Sequence, residues 1–258
     1  MIKKLYLAFI FFVMYAPIFY LIFYAFNSGD SMNSFEGFSW THFSELFADT
    51  RMLVILLETF ILAFASAAVA TVIGTFGALY ITNLRSRLAN TAFMSLNNIL
   101  LVSPDVLIGA SFILLFTFIG LQLGVLSVFL SHVAFSIPIV VLMVLPKIHE
   151  LSKSQIDAAR DLGANSFQTM TQVILPFLTP GIIAGYFMAF TYSLDDFAVT
   201  FFTTGNGFTT LSVEIYSRAR RGVSLEINAL SALVFLFACI LVVGYYLITR
   251  EKSAKEAR

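Results

Sequence analysis

Four acidic residues stand in stretches that are otherwise apolar: Glu58, Asp105, and the adjacent Asp195 and Asp196 in the run Ser193-Leu194-Asp195-Asp196-Phe197. An ionised carboxylate at the centre of a bilayer costs about 2.5–3.5 kcal/mol on insertion scales, so intramembrane acids face a cavity or a partner and mark a path for ions or solutes. A belt of carboxylates suits a linear polycation, whose ammonium groups need anionic partners once dehydrated. Pro104, beside Asp105, frees a backbone carbonyl that can also accept a hydrogen bond from an ammonium group. Whether the four acids form such a belt depends on the elements that carry them.

Those elements are membrane spans. Of 258 residues, 59% are hydrophobic and only 12% charged, with a mean hydropathy of +0.90. Soluble domains carry about 25% charge, and a soluble core cannot absorb this much Phe, Leu, Ile and Val. A bilayer about 30 Å thick takes roughly 20 apolar residues per helix. That length predicts six spans, at 5–26, 52–82, 92–119, 124–146, 177–202 and 227–249, in one domain with no linker: an all-α polytopic membrane protein. Lys3 and Lys4 precede the first span, which is too long for a signal-peptide core and lacks a small-x-small cleavage site, so it reads as uncleaved. Lysines and arginines orient the chain. With both termini inside, cytoplasmic segments hold Lys3, Lys4, Arg85, Arg87, Lys147, Lys153, Arg160, Arg250, Lys252, Lys255 and Arg258, and outer segments only Arg51, Arg218, Arg220 and Arg221.

Counting at 1.5 Å per residue from the cytoplasmic ends puts Asp105 about 20 Å up the third span and Asp195 and Asp196 about 22 Å up the fifth. The same count puts Glu58 about 9 Å below the outer surface, so all four acids share the outer half of the membrane. The other placements are Asp195 or Asp196 at headgroup level, and Glu58 paired with Arg51. Small residues at three- and four-residue spacing (Ala63, Ala67, Ala70, Thr71, Gly74 and Ala78, then Gly181 and Gly185) mark helix-packing stripes, within the chain or between subunits. Cys239 lies in an apolar run and reads as a packing residue. His42, His132 and His149 stand too far apart in the chain for a metal site and read as surface or interfacial. No G-x-x-x-x-G-K-[ST] occurs, so the chain has no cradle for ATP phosphates and is not expected to be an enzyme.

One cytoplasmic stretch breaks the apolar pattern, residues 154–176, SQIDAARDLGANSFQTMTQVILP. Ile156, Ala159 and Leu162 fall on one helical face, with Asp157, Arg160 and Asp161 elsewhere. Gly163 can end that helix in the left-handed conformation, and Asn165 or Ser166 can cap a second short helix over 167–174. Pro176 and Pro180 then launch the fifth span. This helix–turn–helix offers an apolar knob to something outside the membrane.

Asp157-Ala158-Ala159, Gly163 and Val173-Ile174-Leu175-Pro176 resemble the EAA loop of bacterial ABC importer permeases, with Asp157 for Glu and Val173 for Ile. The Ser193–Phe197 run, Ser103-Pro104-Asp105, Arg221-Gly222-Val223 and Asn228-Ala229-Leu230-Ser231 are similar to the spermidine/putrescine branch. The resemblance implies six transmembrane helices in the type I importer architecture and a place in a bacterial cell membrane. It also implies a coupling helix docked on a cytoplasmic ATPase dimer through Asp157, Ala158, Ala159, Gly163 and Pro176. A second, related permease subunit and an extracytoplasmic solute-binding protein would complete the assembly. ATP and Mg would be used by the partner subunits, with no cofactor, metal or nucleic acid bound by this chain. In this reading Asp105, Asp195, Asp196 and Glu58 line a polyamine path. Arg218, Arg220 and Arg221 either pair with Glu214 and Glu226 or contact acidic residues of the external receptor. The alternatives are a permease of the same architecture for another small solute, or a proton-coupled secondary transporter, which would have no use for a coupling helix.

Overall fold

Apolar residues at helical length, interrupted by few breakers, leave the chain one way to satisfy its backbone in lipid, and it is helical nearly throughout. The computed structural model describes residues 2–221, 224–236 and 239–240. The helices are α1 (Ile2–Ala25), α2 (Thr41–Ala48), α3 (Thr50–Asn83), α4 (Arg87–Val102), α5 (Asp105–Phe118), α6 (Val125–Glu150), α7 (Lys153–Asp161), α8 (Ser166–Thr169), α9 (Leu175–Asp195), α10 (Ala198–Thr203) and α11 (Leu211–Arg221), followed by α12 (Leu225–Leu236). A π-helical turn, Met170–Ile174, joins α8 to α9 without a loop.

Among the described residues four helices are long and apolar enough to cross a membrane: Lys3–Ala25, Thr50–Asn83, Val125–Glu150 and Ser166–Asp195. The third expected span is not one straight helix. It folds by 109° between Arg87–Val102 and Asp105–Phe118, and only as a bent pair does it make a fifth crossing. Pro104 explains the break: it lacks an amide hydrogen and holds Ser103 extended, with ψ at 138°. The fifth span also departs from expectation. It begins at Ser166 rather than near Phe177, because Pro176 sits in the first turn of α9, where proline is tolerated, and it ends at Asp195 rather than Phe202. The sixth expected span is described only in its first part, α12, and residues 241–249 lie outside the described residues. Cys239, expected to be packed, is exposed.

The chain forms two compact units, one of Met1–Val54 with Ile215–Arg258 and one of Ile55–Glu214. In the first, Asn27 is fully buried and organises the loop between α1 and α2: its Nδ2 donates to the Ser31 and Ser34 carbonyls (3.0 and 2.9 Å), and its Oδ1 accepts from the Glu36 amide (2.8 Å). The second unit carries the candidate site. Its core is Ala67, Ala78, Leu79, Val140, Val141, Val144, Leu178 and Ala189, where α6 packs against α3 and α9. The small-residue stripes serve this packing inside the chain. A Cβ on Gly74 would stand 2.7 Å from Val140 Cβ and 3.1 Å from the Ile137 carbonyl oxygen, and one on Gly185 3.3 Å from Val140 Cα. A second close approach brings α5 onto α10, where a Cβ on Gly109 would meet the Phe202 ring at 2.7 Å and Val199 Cα at 3.1 Å.

Gly74 and Gly77 lie one turn apart on α3, and an alanine at Gly77 meets nothing within 4 Å. Gly74→Ala should therefore destabilise the solubilised chain by about 1–3 kcal/mol through overpacking. Gly77→Ala should stabilise it by about 0.5–1 kcal/mol through helix propensity. Thermal unfolding of the two variants should show shifts of opposite sign, and equal shifts would contradict the packing described.

Candidate functional site

Two helix ends, at Asp105 and at Asp195, carry the acidic residues. At Asp196 the backbone turns extended (φ −62°, ψ 122°), ending α9 before α10 begins. The Asp196 carboxylate then caps α10: Oδ1 accepts from the Val199 amide (3.2 Å), and Oδ2 accepts from the Thr200 amide and hydroxyl (both 2.8 Å). Its carbonyl accepts from Ser212 Oγ at 2.5 Å. His132 Nε2 lies 3.5 Å from Oδ2 and 2.8 Å from Thr200 Oγ1. On the other side of the ring, Nδ1 lies 2.6 Å from Ser193 Oγ, which is 3.1 Å from Ser66 Oγ on α3. Asp196, His132, Ser193, Ser66 and Thr200 are all buried. Asp195, one residue earlier, is exposed. The two adjacent aspartates thus have opposite surroundings, and only Asp195 faces outward.

Asp105 opens α5 directly after the Pro104 break and is half-buried. Tyr192, on the last turn of α9, donates its hydroxyl to Asp105 Oδ1 at 2.6 Å. The Tyr192 ring packs edge-on against Phe135 (5.0 Å), and Phe135 packs against His132 (4.9 Å). Asp105 and the end of α9 are therefore held together by a side-chain hydrogen bond. Glu58 is placed otherwise: it lines a cavity of about 480 Å³ with Ile61, Leu62, Ala65, Val125, Leu126, Phe129 and Phe208, a lining that includes none of the three aspartates. The straight-helix count that set all four acids at one depth does not hold, because the third span bends by 109° below Asp105.

Sequence reading missed Tyr192, Ser193, Ser66 and Thr200, and misplaced His132, which is fully buried rather than interfacial. The available signal was a run of polar side chains within apolar helices, each needing a partner once buried. His42 is also buried, bonded to Glu45 Oε2 and the Gly29 carbonyl (3.0 and 3.1 Å), while His149 is exposed.

The 152–176 segment folds as a helix–turn–helix. Ser152 caps α7, Gly163 turns with φ +88°, and Asn165 caps α8 in a reciprocal box with Gln168 (both bonds 2.9 Å). Its outward face differs from the expected one. Ile156 and Ala159 are half-buried, while Asp157, Ala158 and Gly163 are exposed with Pro176, and Leu162 and Phe167 protrude at 90% and 76% exposure. Leu162 follows the last helical residue, so it leaves the Ile156 face and joins Phe167 across the turn.

Arg218 is not free for an outside partner. Its guanidinium bonds Asp49 Oδ2 at 2.6 Å and Glu226 Oε2 at 2.9 Å, and is 18% exposed. Glu226 was an expected partner and Asp49 was not. Asp49 also caps α3, its Oδ1 accepting from the Met52 amide at 3.0 Å, and the hydrogen bond from Arg218 holds its carboxyl below the usual carboxylate range. Arg220 is exposed and lies 5.9 Å over the Tyr216 ring, and the Arg221 side chain is outside the described residues.

The family described as "Binding-protein-dependent transport system inner membrane component" matches residues 70–250. The chain belongs to this family. Its relatives include the spermidine/putrescine transport system permease protein PotC of Haemophilus influenzae, 32% identical over 240 residues that cover 93% of both chains. PotC of Escherichia coli K12 is 34% identical over 93% of this chain and 90% of its own. The putrescine transport system permease protein PotI of the same strain is 33% identical over 94% and 89%. In fold the chain is similar to a subunit of a bacterial ABC transporter that imports alginate (TM-score 0.70, 13% identity, 96% of this chain and 94% of that one). It is also similar to the MetNI methionine ABC transporter in an inward-facing form (TM-score 0.60, 20% identity, 78% and 98%). The expected class, an all-helical polytopic membrane protein with the permease architecture of ABC importers, is the one found. Family membership makes the chain a transport component. The matched range takes in both helix breaks and the 152–176 segment, and begins after Glu58 and Asp49.

In this family member Arg218 ties Asp49 and Glu226 together, so Arg218→Ala should lower thermal stability by about 1.5–3 kcal/mol, the range for a hydrogen bond to a charged group. Arg220→Ala should change it little. Because the carboxyl of folded Asp49 is held low, its contribution is present above the unfolded pKa and is lost as pH falls through the folded one. Melting curves across acid pH should show Arg218→Ala removing that dependence, and a variant with the wild-type acid limb would contradict it.

Proposed function

We propose that the chain is the membrane-spanning permease subunit of an ATP-driven importer of polyamines such as spermidine and putrescine. The observation that carries the reading is the pairing of Asp105 and Tyr192 next to exposed Asp195, in a chain whose relatives at 32–34% identity are polyamine permeases. A solute ammonium group leaving water would exchange its hydration for Asp105 and Asp195. The Tyr192 hydroxyl already donates to Asp105, which orients that carboxylate. Asp196, buried as the cap of α10, supports this path from within and is not its wall.

ATPases docked on the cytoplasmic segment would supply the motion, with a related second permease subunit beside this chain and an external binding protein delivering solute. Both termini then lie in the cytoplasm, as the lysine and arginine distribution requires. Leu162 and Phe167 are the exposed apolar side chains that support docking there. From Ser166 to Asp195 the chain is one helical element of 30 residues, about 45 Å at 1.5 Å per residue. A push at its cytoplasmic end therefore reaches Asp195 without crossing a loop.

Import of labelled spermidine and putrescine into vesicles holding the whole assembly should require ATP and the external receptor. Asp195→Asn and Asp105→Asn should each lower uptake by about 10- to 150-fold, the loss of one charge-assisted contact of about 1.5–3 kcal/mol. Leu162→Asp should leave the chain in the membrane but abolish ATPase co-purification. Polyamine uptake indifferent to all three variants would overturn the assignment.

A further inference from the structure

Glu58 is the acid that the site around Asp105, Asp195 and Asp196 leaves unused. It is half-buried on α3 and has no hydrogen-bond or ion-pair partner among the described residues. The midpoint of α3 lies near Ser66, and Glu58 stands eight residues, about 12 Å, before it. With α3 centred in a hydrocarbon layer about 30 Å thick, the carboxylate lies close to the boundary where lipid headgroups begin.

The cavity of about 480 Å³ beside Glu58 is a groove between two parallel helices. Leu62 packs in one cluster with Val128 and Phe208, and further along α3 Gly74 meets Val140, so the numbering advances together on α3 and α6. From Glu58 the α3 wall continues through Ile61, Leu62 and Ala65, the three-, four- and seven-residue steps of one helical face, two turns deeper. Val125, Leu126 and Phe129 form the α6 wall, and Phe208 completes the lining. Leu62 and Phe208 are buried while Ile61 and Leu126 are exposed, so the groove has a packed floor and an open side. Every lining side chain apart from Glu58 is hydrocarbon.

One carboxylate at the rim of an apolar groove selects its occupant by charge and by shape. A polyamine carries at least two ammonium groups a few methylenes apart. One would meet Glu58, and the next would be stranded against Leu62 or Phe129, because none of Asp105, Asp195 and Asp196 lines the groove. A molecule with one cationic head and a hydrocarbon tail satisfies both parts, and the volume falls in the range of about 300–1,000 Å³ that small-molecule sites occupy. A primary ammonium brings N–H donors for charge-assisted hydrogen bonds to the carboxylate; a quaternary one brings none. We propose that this groove binds a membrane lipid with a primary ammonium headgroup, its ammonium on Glu58 and one acyl chain along Ile61, Leu62, Ala65 and Phe129. The site is separate from the solute path and does not rest on the polyamine reading.

The test uses the complete importer, delipidated in detergent and returned to phosphatidylethanolamine, phosphatidylcholine or phosphatidylglycerol with the same acyl chains. Bound lipid is counted by native mass spectrometry. The wild type should prefer phosphatidylethanolamine to the other two, and Glu58→Gln should bind it about 10- to 150-fold more weakly, the loss of one charge-assisted contact. Ala65→Phe, which fills the deeper end of the groove and leaves Glu58 in place, should lose that lipid as well. Unchanged retention in Glu58→Gln, or no preference for the primary amine, overturns the proposal. Excess spermidine should leave the bound lipid in place, and its displacement from the wild type would assign the groove to solute instead. A photoreactive residue in place of Ile61 should capture lipid, whereas capture of another protein subunit would make the groove a subunit contact and refute the lipid site.

Discussion

A carboxylate buried among apolar helices must be paired and fully hydrogen-bonded, or its burial costs several kcal/mol. Asp196 imposes that requirement on everything packed around it. Two amides and a hydroxyl of α10, a hydroxyl from the α11 start and the His132 ring from α6 all converge on its carboxylate or carbonyl. Such convergence needs helices that approach closely, which Gly74 allows between α3 and α6 and Gly109 between α5 and α10. It also needs α9 to stop where it does. An extended residue at Asp196 turns its side chain inward while Asp195 stays on the outer surface of the helix end.

The same constraint joins the two ends of the transport reading. The helix that ends at Asp195 begins at Ser166, beside the turn that exposes Leu162 and Phe167. Near its start lies the π-helical turn at Met170–Ile174, where the backbone ladder is widened and can yield, and Pro180 interrupts the ladder again within α9. Displacement of the turn at Gly163 has two routes, bending at these irregularities or shifting α9 against α6. The second route strains the His132 hub, because Ser193 rides on α9 and His132 on α6. Motion at the ATPase side and geometry at the acids are thus coupled through covalent helix and one buried network.

Much of this was readable before any coordinates. Gly163 takes the positive φ its place after an amphipathic turn required, and Asn165 caps the next helix as its side chain suggests. Ser103-Pro104 announced a turn, but not its size, since proline removes one hydrogen bond and leaves the bend angle to packing. The division between Asp195 and Asp196 was not legible. A depth count along a straight helix places neighbours at one level and says nothing of which side each faces once the helix ends. His132 was misread for a related reason: a lone histidine in an apolar span has hydroxyl partners on α9 and α10 that lie 61 and 68 residues away along the chain. Local pattern carries no trace of such pairings.

The central claim is that the Ser193–Phe197 run is split, with Asp195 toward solute and Ser193 and Asp196 in the core. Single cysteines at positions 105, 193, 195 and 196, in a chain with Cys239→Ser, can be probed in the assembled importer with a water-soluble thiol reagent. Cysteines replacing Asp195 and Asp105 should react quickly and be protected by spermidine, while those replacing Ser193 and Asp196 should stay unmodified until the chain unfolds. Equal reactivity at 195 and 196, or no protection at 105 and 195, would contradict the account.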